Sequence, residues 1–145
     1  MPLRWENNRL YILEDTFAIN RHIEPIEEKC AAHKHDFVEI CYVYSGSGWH
    51  LVNKGDLFII NYDISHAFFS EETENPVITY NIMFKPGFID NLLVDFYDFN
   101  SLTLSYLFKD IWNNGDICED LRLRGEEQKV FDMLITDIYK EYTLK

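Results

Sequence analysis

Five short segments between residues 35 and 84 constrain the fold of this chain more than any other feature. Each segment is rich in β-branched and aromatic residues, and glycine-containing or acidic turns separate them. We predict strands over residues 35–44, 49–53, 56–61, 66–70 and 77–84. Residues 10–24 alternate loosely between apolar and polar positions and predict one or two further strands. Strands this short, at spacings of roughly 8–12 residues, are typical of an antiparallel sandwich or barrel.

The pattern changes after Lys85-Pro86-Gly87, where helix-like segments begin. We predict helices over 88–99, 102–112 and 126–142, and the last has an apolar stripe at Val130, Phe131, Leu134, Ile135 and Ile138. The predicted fold class is therefore mainly β: an antiparallel barrel over residues 1–87, then C-terminal α-helices over residues 88–145 of the same structural unit. The apolar stripe fits either packing on the barrel or a seam between two copies of the chain.

The net charge of −12 comes from 25 acidic against 13 basic residues. A domain this acidic repels nucleic-acid phosphates and anionic lipids, so we expect it neither to bind DNA or RNA directly nor to lie on a membrane. No apolar run approaches the roughly 20 residues of a membrane helix, and the N-terminus lacks the apolar stretch of a secretory signal. We therefore expect a cytoplasmic protein whose three cysteines, which form no CxxC pair, are reduced.

Three histidines and one glutamate stand at positions that a barrel would bring together. His33, His35 and Glu39 share one strand parity, so they are expected to point to the same face. His66 lies on a later segment and completes the set if that face lines the barrel. Such a group suits Fe, Mn, Ni, Cu or Zn. Neutral imidazoles also hydrogen-bond to polyol hydroxyls, so the same residues are also consistent with a metal-free polar pocket.

The same residues resemble the two sequence motifs of cupins. The first motif is matched at each of its defining positions, as His33-x-His35-x3-Glu39-x6-Gly46. The second is similar to Gly55-x5-Asn61-x-Asp63-x2-His66, with Asn and Asp where cupins usually have Pro and Gly. The resemblance implies a cupin-like double-stranded β-helix, or jelly roll. It also implies a possible divalent transition metal on His33, His35, Glu39 and His66.

A narrower resemblance covers nearly the whole chain. The string HKHDFVEICYVYSGSGWHLVNKGDLFIINYDISHAFF and the later ITYNIMFKPGFI are similar to the N-terminal ligand-binding and dimerisation domain of AraC-type transcription regulators. That resemblance implies a non-catalytic domain that senses a small-molecule effector, often a sugar, and that requires no cofactor. With the residues discussed above, it implies ligand contacts from His33, His35, Glu39, His66, Phe68, Thr79 and Asn81.

The AraC-type resemblance also implies partners. We expect a homodimer through the C-terminal helices, and DNA binding only through a helix-turn-helix domain outside these 145 residues. The competing hypothesis is a small metal-dependent cupin enzyme, such as a dioxygenase or an isomerase, with open positions on its metal. A stand-alone sugar-binding cupin is a third alternative.

Overall fold

A computed structural model describes residues 3–6, 9–12, 17–26, 32–49, 52–60, 66–85 and 117–144. Within these ranges the chain is mainly β, with one helix, and no helix is long and apolar enough to cross a membrane. The elements are β1 (Leu3–Glu6), β2 (Arg9–Ile12), β3 (Phe17–Ile23), β4 (Lys34–His35), β5 (Val38–Ser45), β6 (Ser47–Gly48), β7 (Val52–Asn53), β8 (Asp56–Ile60), β9 (Ile78–Phe84), β10 (Ile117–Arg122) and α1 (Gly125–Thr143).

Five antiparallel strands form the main sheet, in the order β10-β8-β5-β9-β3. A second sheet, β1-β2-β4, places the N-terminal hairpin beside the strand that carries His35. Side chains from both sheets meet in one core cluster, which consists of Leu10, Ile12, Ala18, Phe37 and Met83. The two sheets therefore face each other across a common interior, which confirms the predicted fold class. Within the described residues, continuous strand pairing does not close the barrel.

The predicted strands are found with local differences. β5, β8 and β9 occupy most of residues 35–44, 56–61 and 77–84. The chain bends between β4 and β5, where Asp36 accepts a hydrogen bond from the Ile12 N–H at 2.9 Å and lies 3.2 Å from Lys85 Nζ. The strand predicted at 66–70 is reduced to single bridges at His66 and Ser70. The strand predicted at 49–53 retains only β7 in the described part of the chain.

Strand β10 lies in the segment for which a helical extension was expected. It pairs antiparallel with β8, with Ile117 opposite Ile60. Hydrogen bonds to the edge of β8 stabilise a strand whose own sequence, ICEDLR, has no clear alternation. The helical prediction is confirmed for α1 and wrong for residues 117–122. The helices predicted over 88–99 and 102–112 lie outside the described residues.

The main sheet has an outer face and an inner face. On the outer face, Ile19, Tyr42 and Tyr80 pack against Ile135 of α1. Because successive side chains alternate between faces, the neighbours of these residues along each strand point to the interior. Apolar clusters border the interior on two sides: one is the core cluster above, and the other contains Val43, Val52 and Val77. Polar side chains on the inner face are therefore held between apolar layers.

Helix α1 presents two apolar stripes rather than the single one that the sequence predicts. Phe131 and Ile135 pack on the outer face of the main sheet. The second stripe is exposed and consists of Val130, Met133, Leu134 and Ile138. We call these four residues the exposed stripe of α1. Part of the predicted stripe therefore belongs to the core of this chain, and part remains on its surface.

A glycine at the end of β5 allows two segments to approach closely. Gly46 has a φ angle of 87°, a left-handed conformation that side chains other than glycine rarely adopt. A Cβ atom at this position would lie 2.1 Å from the Pro76 carbonyl oxygen. The turn therefore requires glycine, and it sets residue 76, just before β9, against the end of β5.

Candidate functional site

The interior brings together the three histidines and the glutamate that the sequence indicates. His33 and His66 exchange backbone hydrogen bonds, each N–H donating to the other carbonyl at 3.1 Å, and their ring centroids are 4.4 Å apart. Glu39 Oε2 lies 3.0 Å from His35 Nε2 and 3.2 Å from His66 Nε2. All are buried except His33, which is half-buried. The four side chains converge as predicted, although a bend, not one continuous strand, directs them.

Glu39 carries a negative charge into this cluster. Burial by itself raises the pKa of a carboxyl group, but the close contacts from His35 and His66 outweigh burial and hold the pKa of Glu39 well below its usual range. Glu39 is therefore ionised at neutral pH. Its partners are the imidazole nitrogens rather than water, because only a small part of its side chain is exposed.

His33 is held in its neutral form. Burial, followed by the positive charge that His66 can carry, lowers the pKa of His33 from 6.5 to about 4. At physiological pH one of its ring nitrogens therefore keeps a lone pair. A neutral imidazole at this place can accept a hydrogen bond from a bound molecule or act as a metal ligand.

The chemistry of the donors fits a divalent transition metal. His33, Glu39 and His66 each offer one ligand atom, and these three atoms lie within 4.8 Å of one another. Two imidazoles and one carboxylate form a ligand set that transition metals such as Fe(II) use. His35 is outside this group of three. Its ring stacks on Phe37 with centroids 4.3 Å apart, and within the described residues neither of its ring nitrogens makes a well-aligned hydrogen bond.

A second group of polar side chains lines the same interior, on and next to β3 and β9. The Asn81 amide nitrogen donates to Asn20 Oδ1 at 2.8 Å and to Thr79 Oγ1 at 3.2 Å. The Thr79 hydroxyl donates in turn to Glu24 Oε1 at 3.1 Å. Thr79 and Asn81 are buried, in agreement with the common facing that their strand parity predicts. The side chain of Glu24 is only 11% exposed.

Glu24 is coupled electrostatically to the histidine cluster. Burial raises the pKa of Glu24 from 4.5 to about 7, and the charge of Glu39 acts in the same sense. The Thr79 hydroxyl and His66 act in the opposite sense but are outweighed. Glu24 Oε2 also lies 3.6 Å from His22 Nε2. The site therefore contains two carboxyl groups whose pKa values are displaced in opposite directions.

Apolar groups border the polar residues. Phe68 is half-buried and packs on Phe58, with ring centroids 5.2 Å apart, while the centroid of His66 lies 6.3 Å away. Cys41 is buried on the same inner face, and burial raises the pKa of its thiol well above the usual value. Cys41 is therefore a neutral thiol, and Phe68 supplies an aromatic wall next to His66.

Comparison with protein-family models decides the family. The model of the AraC-like ligand binding domain matches residues 22–123, which is more than two thirds of the chain. The chain belongs to the AraC-like ligand-binding domain family. Comparison with curated proteins gives no match. The family inferred from the sequence motifs is therefore confirmed, and the cupin-like fold of this family agrees with the mainly β architecture.

Two polar residues of this AraC-like domain were missed by sequence reasoning: Asn20 and Glu24. The sequence feature that could have revealed them is the row of polar residues at positions 20, 22 and 24, on the strand face opposite to Phe17 and Ile19. α1 packs near Phe17 and Ile19 on the outer face. On the other parity Glu24 is nearly buried and Asn20, although exposed, accepts a hydrogen bond from buried Asn81, so amphipathic alternation alone could not show which face lines the site.

Proposed function

We propose that this AraC-like domain senses a small-molecule effector for a bacterial transcription regulator and has no catalytic role. The observation that carries the proposal is the group of polar side chains held inside a domain of this family. Buried polar groups are costly unless hydrogen bonds satisfy them. A small polar molecule that enters the interior provides such bonds, and the apolar layers on either side exclude competing water.

The proposed ligand contacts are the residues that surround the interior. Sugars are the first candidates, because their hydroxyl groups pair with imidazole, amide and carboxylate groups, and because the apolar face of a sugar ring can lie on an aromatic wall. Glu39 is ionised and His33 is neutral, so both accept hydrogen bonds from such a ligand. The full proposed set is His33, His35, Glu39, His66, Phe68, Thr79 and Asn81.

We propose that the exposed stripe of α1 forms the homodimer seam. Its four side chains lie at spacings of three and four residues on one side of the helix, and between 39% and 66% of each is exposed. Exposed apolar side chains in such a row are typical of helix–helix interfaces. The stripe is separate from Phe131 and Ile135, so dimerisation does not compete with packing of the helix on its own sheet.

Strand β5 offers a route from the interior to α1. Its inner face carries Glu39 and Cys41, and Tyr42, the residue after Cys41, points outward against α1. The Tyr42 hydroxyl donates to Asp132 Oδ1 of α1 at 2.5 Å, and the Tyr42 and Phe131 rings pack with centroids 4.6 Å apart. Effector binding that shifts β5 would therefore shift the helix. In linkage terms, the effector stabilises the helix placement that it binds best, typically by about 1–3 kcal/mol.

DNA binding is proposed for a helix-turn-helix domain outside these residues. The net charge of −12 disfavours contact between this domain and phosphates. A regulator that binds chromosomal DNA works in the cytoplasm, and we propose that location for this domain.

A thermal-shift screen of sugars, glycosides and other small polar molecules tests the proposed function. A ligand at about 100 times its dissociation constant stabilises a protein by about 2.7 kcal/mol, which is a readily measured shift. The matched variant is Asn81→Leu, which keeps the side-chain size but removes both hydrogen-bonding atoms from the interior. We expect at least one compound to stabilise the wild type but not the variant. Equal stabilisation of both proteins by each active compound would contradict binding in the interior.

Sedimentation of Leu134→Ser tests the dimer. We expect this variant to shift towards monomer at concentrations where the wild type is dimeric, because it places a hydroxyl in the apolar seam. Lys129→Ser is the matched control, since Lys129 is also exposed on α1 but pairs with Glu126 and lies outside the stripe. A monomeric wild type, or dimers of equal strength in all three proteins, would refute the seam.

The second candidate is the metal-dependent cupin enzyme, and the three ligand atoms within 4.8 Å of one another favour it. His33, Glu39 and His66 would hold the ion, which would supply Lewis-acid or oxygen chemistry when bound. Elemental analysis of protein purified without an affinity tag tests this candidate. Close to one equivalent of a transition metal, lost in His66→Ala, would favour it. Less than about a tenth of an equivalent, with no uptake on reconstitution, would remove it.

A further inference from the structure

The hydrogen bonds of the second polar group all run in one direction. The Asn81 amide nitrogen donates to Asn20 and Thr79, and the Thr79 hydroxyl donates to the Glu24 carboxyl. A hydroxyl has one proton to donate, so Thr79 has no donor left for a ligand. The amide protons of Asn81 face Asn20 and Thr79 in the same way. The hydrogen-bond donors of Asn81 and Thr79 are therefore already used within the protein.

Acceptors remain. Within the described part of the chain, the hydrogen bonds of the Asn81 side chain are the two that its amide nitrogen donates, and none is accepted by its carbonyl oxygen Oδ1. Glu24 accepts from Thr79 through Oε1, and among the described residues its other oxygen has only the longer contact of 3.6 Å with His22. A carboxyl group has about four acceptor sites when ionised, so one hydrogen bond does not satisfy it. The second polar group is therefore suited to a ligand that donates hydrogen bonds from N–H or O–H groups.

The charges around Glu24 narrow the class of ligand further. Besides His22 at 3.6 Å, the charged groups that act on Glu24 are Glu39 and His66, and no described lysine or arginine is among the causes that displace the pKa of Glu24. A carboxyl group that is buried near a second carboxylate, without a lysine or arginine partner, is an arrangement in which a bound cation gains much. A neutral polyol cannot supply that charge. Each hydroxyl group of a polyol also has an oxygen that accepts hydrogen bonds, so a polyol brings acceptors along with its donors.

We propose that the effector is a small organic cation whose ammonium group binds against Glu24, with N–H groups donating to the Glu24 carboxylate and the Asn81 carbonyl oxygen. This inference rests on the proposed effector-sensing function and narrows its ligand class. Amino sugars and short aliphatic amines belong to this class. Glu24 is the residue that selects the cation, and Asn81 orients it.

Matched pairs of compounds test the inference. Each pair has an ammonium group in one member and a hydroxyl in the other: glucosamine with glucose, ethanolamine with ethylene glycol, and putrescine with 1,4-butanediol. Binding of each compound to the whole chain is measured by calorimetry at constant ionic strength, because charged ligands are screened by salt. We expect saturable binding of at least one amine and at least tenfold weaker binding of its hydroxyl counterpart.

The Glu24→Gln variant identifies the group that selects the cation. Glutamine keeps an oxygen to accept from Thr79 and removes the charge. We expect the amine to bind about 10- to 100-fold more weakly, the range of a lost charge-assisted hydrogen bond. Glu74→Gln removes the same charge from the exposed acidic turn and should leave binding unchanged. Equal losses in both variants would show a general charge effect and overturn the inference.

The pH dependence of putrescine binding in the wild type gives a second readout that needs no variant. Because Glu24 ionises within this interval, affinity should rise as the pH increases from about 6 to about 8, while the alkylamine stays protonated. His22, Glu39 and His66 also face Glu24. A flat or falling profile would contradict the assignment.

The results separate this inference from the proposed function. The hydroxyl compounds could bind as tightly as the amines and lose that binding in Asn81→Leu. That result would support the effector site but refute the preference for a cation. Absence of binding by all three amines at tens of millimolar would also overturn the cation, whereas the sensing function stands or falls by its own library screen.

Discussion

Replacing Glu24 by glutamine should make the protein more stable at neutral and alkaline pH. The carboxyl group is almost buried, and its pKa is raised from 4.5 to about 7 by burial and by Glu39. A raised pKa means that the fold prefers the protonated form. The stability contributed by protonation is complete below a pH of about 4.5 and is lost as the pH rises through about 7. Glutamine resembles the protonated form at every pH.

The magnitude follows from the displacement of the pKa. Each pKa unit corresponds to about 1.36 kcal/mol, so ionising Glu24 in the fold costs the wild type about 3 kcal/mol in total. Between about pH 5 and about pH 8, most of that amount, about 2 to 3 kcal/mol, should appear as a widening stability difference in favour of Glu24→Gln.

His33 makes the comparison between variants necessary. The lowered pKa of His33 has the opposite effect on the stability of the fold, because stability is lost as the pH falls from 6.5 through about 4. The two groups partly cancel in the wild type, whose profile should be flatter than either contribution alone. Subtracting the wild-type profile from that of Glu24→Gln removes the contribution of His33, since both proteins contain it.

The assay is urea unfolding, followed by tryptophan fluorescence at several pH values, with the free energy of unfolding extrapolated to water. Glu74→Gln is the control, and its difference from the wild type should change little with pH. Parallel profiles for the wild type and Glu24→Gln, or a difference that grows towards acid, would refute the conclusion that burial raises the pKa of Glu24 in the fold.

Three further predictions concern the framework of the site. Tyr42→Phe should lower the free energy of unfolding by about 1–2 kcal/mol, because Asp132 loses its hydrogen-bond donor; no change in urea unfolding would argue against a sheet–helix link. Ile135→Ala should cost about 2–5 kcal/mol because it opens a cavity under α1, whereas exposed Met133→Ala should change monomer stability by less than about 0.5 kcal/mol. Gly46→Ala should cost about 2 kcal/mol or more, from the left-handed backbone and the clash with Pro76, and a thermal midpoint equal to that of the wild type would contradict this reasoning.

The convergence of His33, His35, Glu39 and His66 could be predicted from the sequence, but for a partly wrong reason. A shared strand parity predicted one face, whereas the chain bends at Asp36 and uses two sheets. The prediction holds because residues on facing walls of a barrel meet in the interior whichever sheet carries them. Which three ligand atoms lie closest together depends on side-chain conformation, and the spacing of residues along the sequence does not determine that conformation.

Other features depend on long-range contacts that a local pattern does not encode. β10 forms because the edge of β8 accepts it, and residues 117–122 show little strand character by themselves. The apolar stripe of α1 predicts the helix, but the sequence cannot show that Ile135 is covered and Leu134 is not. Glu24 was missed for a related reason, since its importance arises from Thr79 and Glu39 on other strands.

The most direct test of the whole account is a crystal structure of the protein with the compound that stabilises it most. We expect electron density for that compound in the interior, within hydrogen-bonding distance of Asn81 and of Glu24 or Glu39. Density only on the outer surface, for example along the exposed stripe of α1, with the interior side chains unchanged, would contradict it.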